Sequence, residues 1–422
     1  MFKLHGLTKN ERSWVLYDIA NSAYILTIVT VLFPIYYQGV AASIDNRTQI
    51  FTLVTAGIAL TDAILSPIIG ALSNYRGNKT KFFKVFLILG ILGGVALAIP
   101  GLHVIALLVV FVISSIGYNI ANVVYDAFLI DVTTDARMDE VSSKGYAWGY
   151  IGSMIPFTVA IIPYALVVLG FLDPGYEQLT VSFAFLVAVA WWLIYSLPLL
   201  KDAKQIYEIP HEPHPVRQSL KRLKGTFLDI KNYRFIFIFM FAYLFYIDVV
   251  NTVIRLATTL GTELGVGVAV LLGVVVLVQL IAFPSAIIYG KLTSKYGGKV
   301  MIYAGIIIYA VSVVITSFIN KDRTWLMWVV GILVGSAQGG IQSISRSYFA
   351  RMLPLEKANE FFGFFSVFGK FSGIISPFLL AIAIGAWGTN VAVLVLLVPL
   401  LAGAVLLSFV DEKKQIEELE ST

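Results

Sequence analysis

Apolar residues run along this chain in blocks too long for the core of a water-soluble domain. Blocks of roughly 20 or more residues with few charges fall at 14–38, 48–73, 82–101, 103–128, 143–170, 181–200, 232–259, 265–292, 299–320, 324–350, 359–386 and 389–410. A helix of about 20 apolar residues covers the ~30 Å hydrocarbon layer of a bilayer, so each block predicts one membrane-spanning helix. The third and fourth blocks are separated only by a short turn around Pro100 and Gly101. The longest polar interruption, 201–231, divides the twelve spans into six and six. The pattern predicts an all-α integral membrane protein: a six-helix bundle over 1–200, a linker over 201–231, a second six-helix bundle over 232–410 and a tail over 411–422. The first run begins at Trp14 and holds Asp18 and Asn21. It is longer than the apolar core of a cleaved signal, so it is expected to be retained.

Composition agrees with this pattern. The chain is 58% hydrophobic and 13% charged, against roughly a quarter charged in soluble domains. Its polar surface cannot cover a globule in water, so lipid is the expected solvent and the bilayer the first partner. There is no cysteine, which excludes disulfides and thiolate chemistry. The histidines His5, His103, His211 and His214 all fall at span ends or in loops, so neither a metal site nor another cofactor is expected. Nothing in the chain points to nucleic acid. Charge placement is more informative than the net +5. With the N-terminus inside, 25 of the 30 Lys and Arg lie on the inner side, and only Arg47, Lys321 and Arg323 fall in outer loops. This asymmetry predicts both termini in the cytosol and a multi-pass protein of the cell membrane. The basic amphipathic stretch Val216–Phe227 is either an interfacial helix or a solvated linker. The acidic tail is expected to be a frayed helix.

The halves share a motif. After the second span come Gly70, Leu72, Asn74, Arg76, Gly77 and Lys79; after the eighth come Gly290, Leu292, Ser294, Gly297 and Lys299. Gly, Leu, Gly and Lys recur at the same spacing, 220 residues apart. The pair resembles the G-x-L-x-D-x-x-G-x-R/K loop of the major facilitator superfamily. Glycine permits a tight turn and close helix approach. The resemblance implies two parallel six-helix halves related by a pseudo-twofold along the membrane normal. It also implies that the loop residues help latch the halves, with Arg346 near the inner end of the tenth span in a cytoplasmic network. Asn74 and Ser294 stand where the motif has an acid, which removes the ionic form of that latch and leaves hydrogen bonding.

A narrower likeness rests on Trp14, Tyr17, Asp18, Asn21 and Ser22 in the first span, and on Tyr125, Asp126 and Asp131 at the end of the fourth. Tyr243, Tyr246, Asp248, Asn251 and Thr252 in the seventh, Gly339 to Phe349 in the tenth and Glu360 to Lys370 in the eleventh complete it. Together these resemble the branch that contains the fungal vacuolar amino-acid effluxer linked to autophagy and its bacterial relatives. Asp126, Ile130 and Val249 depart from that branch, which often has Asn, Pro and Gly there. The resemblance implies efflux of neutral amino acids.

Polar residues inside spans are expensive unless they face a cavity or a partner. Asp18, Asn21 and Ser22 share one helix face, and Asp248, Asn251 and Thr252 repeat that spacing, followed by Arg255. Asn119, Asn122 and Asp126, with Tyr125 beside them, form a third stripe; Gln338, Gln342, Ser345 and Arg346 form a fourth. In the superfamily the first, fourth, seventh and tenth helices line the central cavity. The stripes are therefore candidate substrate or ion contacts, with Asp248 expected nearest the midplane and Asp18 in the inner third. Lys370 and Asp62, with Ser66 a turn later, are further candidates. Each has a plainer alternative: an ion pair for Asp18 or Lys370, an interhelical bond for Asp248, and interhelical glue for the amides. The glycines and prolines of the fifth and eleventh spans, Gly369, Gly373 and Pro377 among them, read as packing and bending devices.

These readings point to a monomeric secondary transporter that moves a small polar solute by alternating access. A proton on Asp248 or Asp126, or a sodium ion, would drive it. An exporter of amphipathic drugs or lipids is the rival, since Phe and Tyr are abundant. A sensor or scaffold lacks an extramembrane domain of any size. An enzyme lacks a phosphate-binding loop and a nucleophile–base pair.

Overall fold

A computed structural model describes residues 4–45, 47–228 and 232–420. Within its helices, a few side chains, those of Arg255 and Lys370 among them, lie outside the described set. Nearly all of the described chain is helical. The helices of the first half are α1 (Lys9–Val40), α2 (Arg47–Ser73), α3 (Asn78–Ala96), α4 (Val104–Ala127), α5 (Asp135–Val168) and α6 (Glu177–Asp202). The linker contributes α7 (Pro215–Leu228). Then come α8 (Arg234–Glu263), α9 (Val268–Tyr296), α10 (Gly298–Thr316) and α11 (Leu326–Arg351). The eleventh span is two helices, α12 (Ala358–Phe371) and α13 (Ile375–Trp387). Last are α14 (Thr389–Ser408) and the tail helix α15 (Glu412–Glu420).

Ten helices among the described residues are long and apolar enough to cross a bilayer. Of the two other expected spans, α3 carries Lys79, Lys81 and Lys84 in its first two turns, and the eleventh is interrupted. Leu53, Leu92, Ile105, Ile307, Val398 and Leu401 stand exposed on helix sides, an apolar surface that a water-soluble monomer would not present. Inside α1, residues Ile25–Leu32 widen into a π-helix, a form that loosens the regular ladder.

The chain forms two compact units. The first comprises Met1–Thr133, Trp148–Leu220 and Glu356–Gly363; the second comprises Thr134–Ala147, Lys221–Leu355 and Phe364–Thr422. Each unit thus borrows a short helical segment from the other half of the sequence: the start of α12 joins the first, and the start of α5 joins the second.

In the first unit, Thr8 caps α1 in a capping box with Glu11. This device satisfies two otherwise bare N–H groups and is worth about 1 kcal/mol. The second oxygen of Glu11 accepts from the Thr133 hydroxyl at 2.7 Å, which ties the start of α1 to the loop after α4. The Trp14 indole donates to the Tyr125 carbonyl at 3.0 Å, and the Trp14 and Tyr17 rings pack on the Tyr125 ring at 4.6 and 4.5 Å. Beneath this cluster the linker is strapped to the loop after α2. Ile209 exchanges backbone bonds with Asn74 and Arg76 at 2.9 and 3.0 Å. Arg76 pairs with Glu208, and the Tyr75 ring stacks on His211. The Gln205 amide donates to the carbonyls of Ser73 and Asn74.

In the second unit, the tail is not frayed. Its Glu412 binds Arg351 at 2.7 Å, and its buried Gln415 donates to the Asn232 carbonyl at 3.1 Å. The amphipathic pattern of α15 has a partner to pack against, which is what a nine-residue helix needs to persist.

Candidate substrate and coupling site

The repeated loop motif does the same work in each unit. Gly70 on α2 lies directly against the backbone carbonyl of Asn359 at the start of α12, where any β-carbon would collide. Gly290 on α9 meets the start of α5 in the same way: a β-carbon would sit 2.7 Å from Cβ of Ser143 and 3.3 Å from the Asp139 carbonyl. Gly77 and Gly297, with φ of +70° and +86°, turn the chain into α3 and α10. At Asn74, where the superfamily motif has an acid, the side-chain oxygen accepts from the Asn359 amide at 2.8 Å. A hydrogen bond stands in for the missing ionic contact.

The basic members of the motif diverge. The Lys79 ammonium is fully buried, paired with Asp131 and donating to the Ala127 carbonyl at 3.2 Å. The other oxygen of Asp131 accepts the backbone N–H groups of Ile206 and Tyr207, so one ion pair joins α3, the end of α4 and the linker. Lys299 instead donates to the carbonyls of Ser408 and Val410, at the end of α14. Arg346 is buried against α5: its guanidinium donates to the Ser142 hydroxyl at 3.0 Å and carbonyl at 3.2 Å, and lies over the Tyr146 ring. Asp139 accepts from Ser347 at 2.5 Å and pairs with Arg351 at 2.6 Å. Sequence patterning did not single out Asp139 or Asn359. Each sits near a helix start in a charged stretch, where it looks like an ordinary solvated residue.

Within the first unit, the polar stripes of α1 and α4 meet. The Asn21 amide donates to Asn122 at 3.0 Å, and the Ser22 hydroxyl to Asn21 at 3.4 Å. Asp18 and Asn21 are buried, and α5 approaches this turn of α1 at Gly149, against Ser22 and the Asp18 carbonyl. One turn along α4 from Asn122, the Asn119 amide donates to the buried Asp62 carboxylate of α2 at 2.5 Å. Ser66, a turn further along α2, is buried with no hydrogen-bond partner for its hydroxyl among the described residues. Asp126 is half-buried. Tyr125 belongs to the aromatic cluster with Trp14 and Tyr17.

Within the second unit, Asp248 is fully buried at the break between α12 and α13. Its two oxygens accept the backbone N–H groups of Gly373 and Ser376, the latter at 2.6 Å. Gly373 has φ of +91°, a conformation that lets the chain leave one helix and enter the next. The carboxylate thereby fills the N-terminus of α13, where free N–H groups and the helix dipole attract negative charge. One turn along α8, the Asn251 amide donates to the Ser372 hydroxyl at 2.7 Å in the same break. Thr252 and Ser376 are buried there, with hydroxyls that have no hydrogen-bond partner among the described residues. On α11, Gln338 is buried and its side-chain oxygen has no partner among the described residues, while Gln342 is half-buried. Gln338 lines an apolar cavity of about 80 Å³ with Val253, Leu271, Val274, Met327 and Val334. The Lys370 side chain lies outside the described residues. Asp18 lies about 14 Å from the start of α1 and Asp248 about 21 Å from the start of α8, at ~1.5 Å per residue.

The family model for "Vacuole effluxer Atg22 like" matches residues 131–420. The chain belongs to the Atg22-like family. A relative described as the uncharacterized MFS-type transporter YxiO, of Bacillus subtilis (strain 168), is 42% identical over 416 residues, 96% of each chain. Autophagy-related protein 22 of Eremothecium gossypii is 22% identical, over 89% of this chain and 85% of its own. Among solved structures, a bacterial homologue of the iron transporter ferroportin in an outward-facing state superposes with a TM-score of 0.70 at 14% identity, covering 95% of this chain and 99% of that one. The major facilitator superfamily transporter FucP, in the outward conformation, gives 0.69 at 15% identity, with 96% and 98% covered. This Atg22-like chain therefore has the major facilitator fold, with its twelve spans in two six-helix sets, and it is a multi-pass membrane transporter of that superfamily.

Proposed function

We propose that this Atg22-like protein is an ion-coupled secondary transporter that exports a small, neutral, zwitterionic solute of the amino-acid class by alternating access. The observation that carries the reading is a set of carboxylates and carboxamides on α1, α2, α4, α8 and α11: Asp18, Asn21, Asp62, Asp248 and Gln338 are buried, and Asn119, Asn122 and Asn251 are half-buried. Such groups at membrane depth are costly, and their usual return is a substrate or ion path. The family description names an effluxer of the vacuole, which supports release of a solute from a membrane-bounded compartment. The apolar cavity beside Gln338 suits the side chain of a branched or aromatic amino acid. The inward bias of Lys and Arg supports an orientation with both termini in the cytosol of a cell-membrane protein.

Asp248 is engaged at both oxygens by the start of α13, so in this reading it holds the broken span rather than carrying the coupling ion. Coupling falls to Asp62, bonded by Asn119, and to half-buried Asp126. Protonating such a group removes a charge from low dielectric and lowers the cost of closing water out. The test is flux of radiolabelled neutral amino acids in proteoliposomes with and without an imposed pH gradient. Asp62→Asn is expected to lose gradient-driven accumulation at least tenfold while keeping solute exchange at zero gradient. Full gradient-driven accumulation by Asp62→Asn would remove Asp62 from the coupling path.

A further inference from the structure

We propose that the groove between the start of α5 and the end of α9, within the second unit, binds the phosphate of a membrane glycerophospholipid. The groove encloses about 420 Å³ and is lined by Glu140, Ser143, Lys144, Ile287, Lys291 and Ser294. The two helices touch where Gly290 meets Ser143. Two ammonium groups line it; the Ser143 hydroxyl lies 3.3 Å from that of Ser343 and the Ser294 hydroxyl donates to the Gly290 carbonyl, so the lysines supply the charge a phosphodiester requires. Lys144 pairs with Glu140 at 2.6 Å. Lys291 makes no hydrogen bond or ion pair among the described residues and stands exposed, so its charge is available to a ligand.

What sets a lipid apart from a free anion is the surface beside that charge. Residues three, seven and eleven positions before Lys291 share its face of α9. They are Ile288, Pro284 and Leu280, and all three are exposed. The helix face thus changes from cationic to apolar within one turn, about 5 Å. An amphiphile matches that step, with its phosphate at Lys291 and its chain along the stripe. The leaflet concerned is the cytosolic one if the orientation proposed above holds; binding itself does not depend on it.

The test uses the full chain, stripped of lipid in mild detergent and titrated with dioleoyl phosphatidylethanolamine, with occupancy read by native mass spectrometry. Lys291→Ala is expected to weaken retention about fivefold, the effect of one lysine near a phosphate surface. Lys291→Arg should restore retention, and Lys295→Ala, one turn nearer the helix end, should leave it unchanged. Dioleoylglycerol, which lacks the phosphate, should not bind. Inorganic phosphate at millimolar concentration should not displace the lipid. Equal retention by wild type and Lys291→Ala would overturn the site. Displacement by inorganic phosphate alone would overturn the lipid and assign the groove to a soluble anion.

Discussion

Each oxygen of Asp248 meets one backbone N–H at the start of α13. Removing the carboxylate strands two buried donors, and hydrogen bonds to a charged group are each worth about 1.5–3 kcal/mol. Asp248→Ala is therefore expected to lower the thermal unfolding midpoint of the purified protein by several degrees. Asp248→Asn, which keeps one acceptor, should lose about half as much. If both variants melt with wild type, the carboxylate does not hold the break. Little of this was legible in the sequence. Periodicity put Asp248, Asn251 and Thr252 on one face of a buried helix, and Gly373 was readable as a bending device. The partners Ser372, Gly373 and Ser376 lie more than 120 residues away along the chain. A helical period reports only which residues share a face, and a bond across helices leaves no local pattern. The same holds for Asp62 and Asn119, 57 residues apart.

At the scale of elements, the spans themselves were readable almost to their ends, because twenty apolar residues in succession have one stable arrangement in lipid. The eleventh span was marked for bending by Gly373 but not for a full break, since apolar residues continue on both sides of it. The strap of the linker onto the loop after α2 was equally hidden: 203–212 has no period, and its bonds are mostly backbone. Its anchor is the buried pair of Lys79 and Asp131. Breaking a buried pair by deleting one partner costs about 3–5 kcal/mol, because the other charge is left alone, whereas an apolar replacement of both is often neutral. Lys79→Met is expected to be far less stable than wild type, and Lys79→Met with Asp131→Leu should recover most of the loss. The measurement is detergent-scan unfolding of all three purified proteins. A double variant no better than the single one would show that the backbone bonds from Ile206 and Tyr207 to Asp131 matter more than the pair.

For the whole molecule, the charge count makes a topological prediction that the absence of native cysteine makes easy to check. A single cysteine at exposed Leu220, in the basic helix α7, should react with a membrane-impermeant maleimide only after cells are opened. One at Asp322, between α10 and α11, should react in intact cells. The reverse labelling would invert the proposed orientation and, with it, the direction assigned to transport. The two sequence halves were visible from the repeated glycine motif. The exchange of short segments was not, because it depends on which helix each close-approach glycine touches.

An uninterrupted helix over residues 358–387 could answer a change in its surroundings only as a single rigid rod. The eleventh span is two shorter rods joined at Gly373, and the amide end of the second rod is held by a carboxylate from α8. Motion of one rod need not be transmitted to the other, and no stage of such a motion has to leave a bare helix terminus facing hydrocarbon.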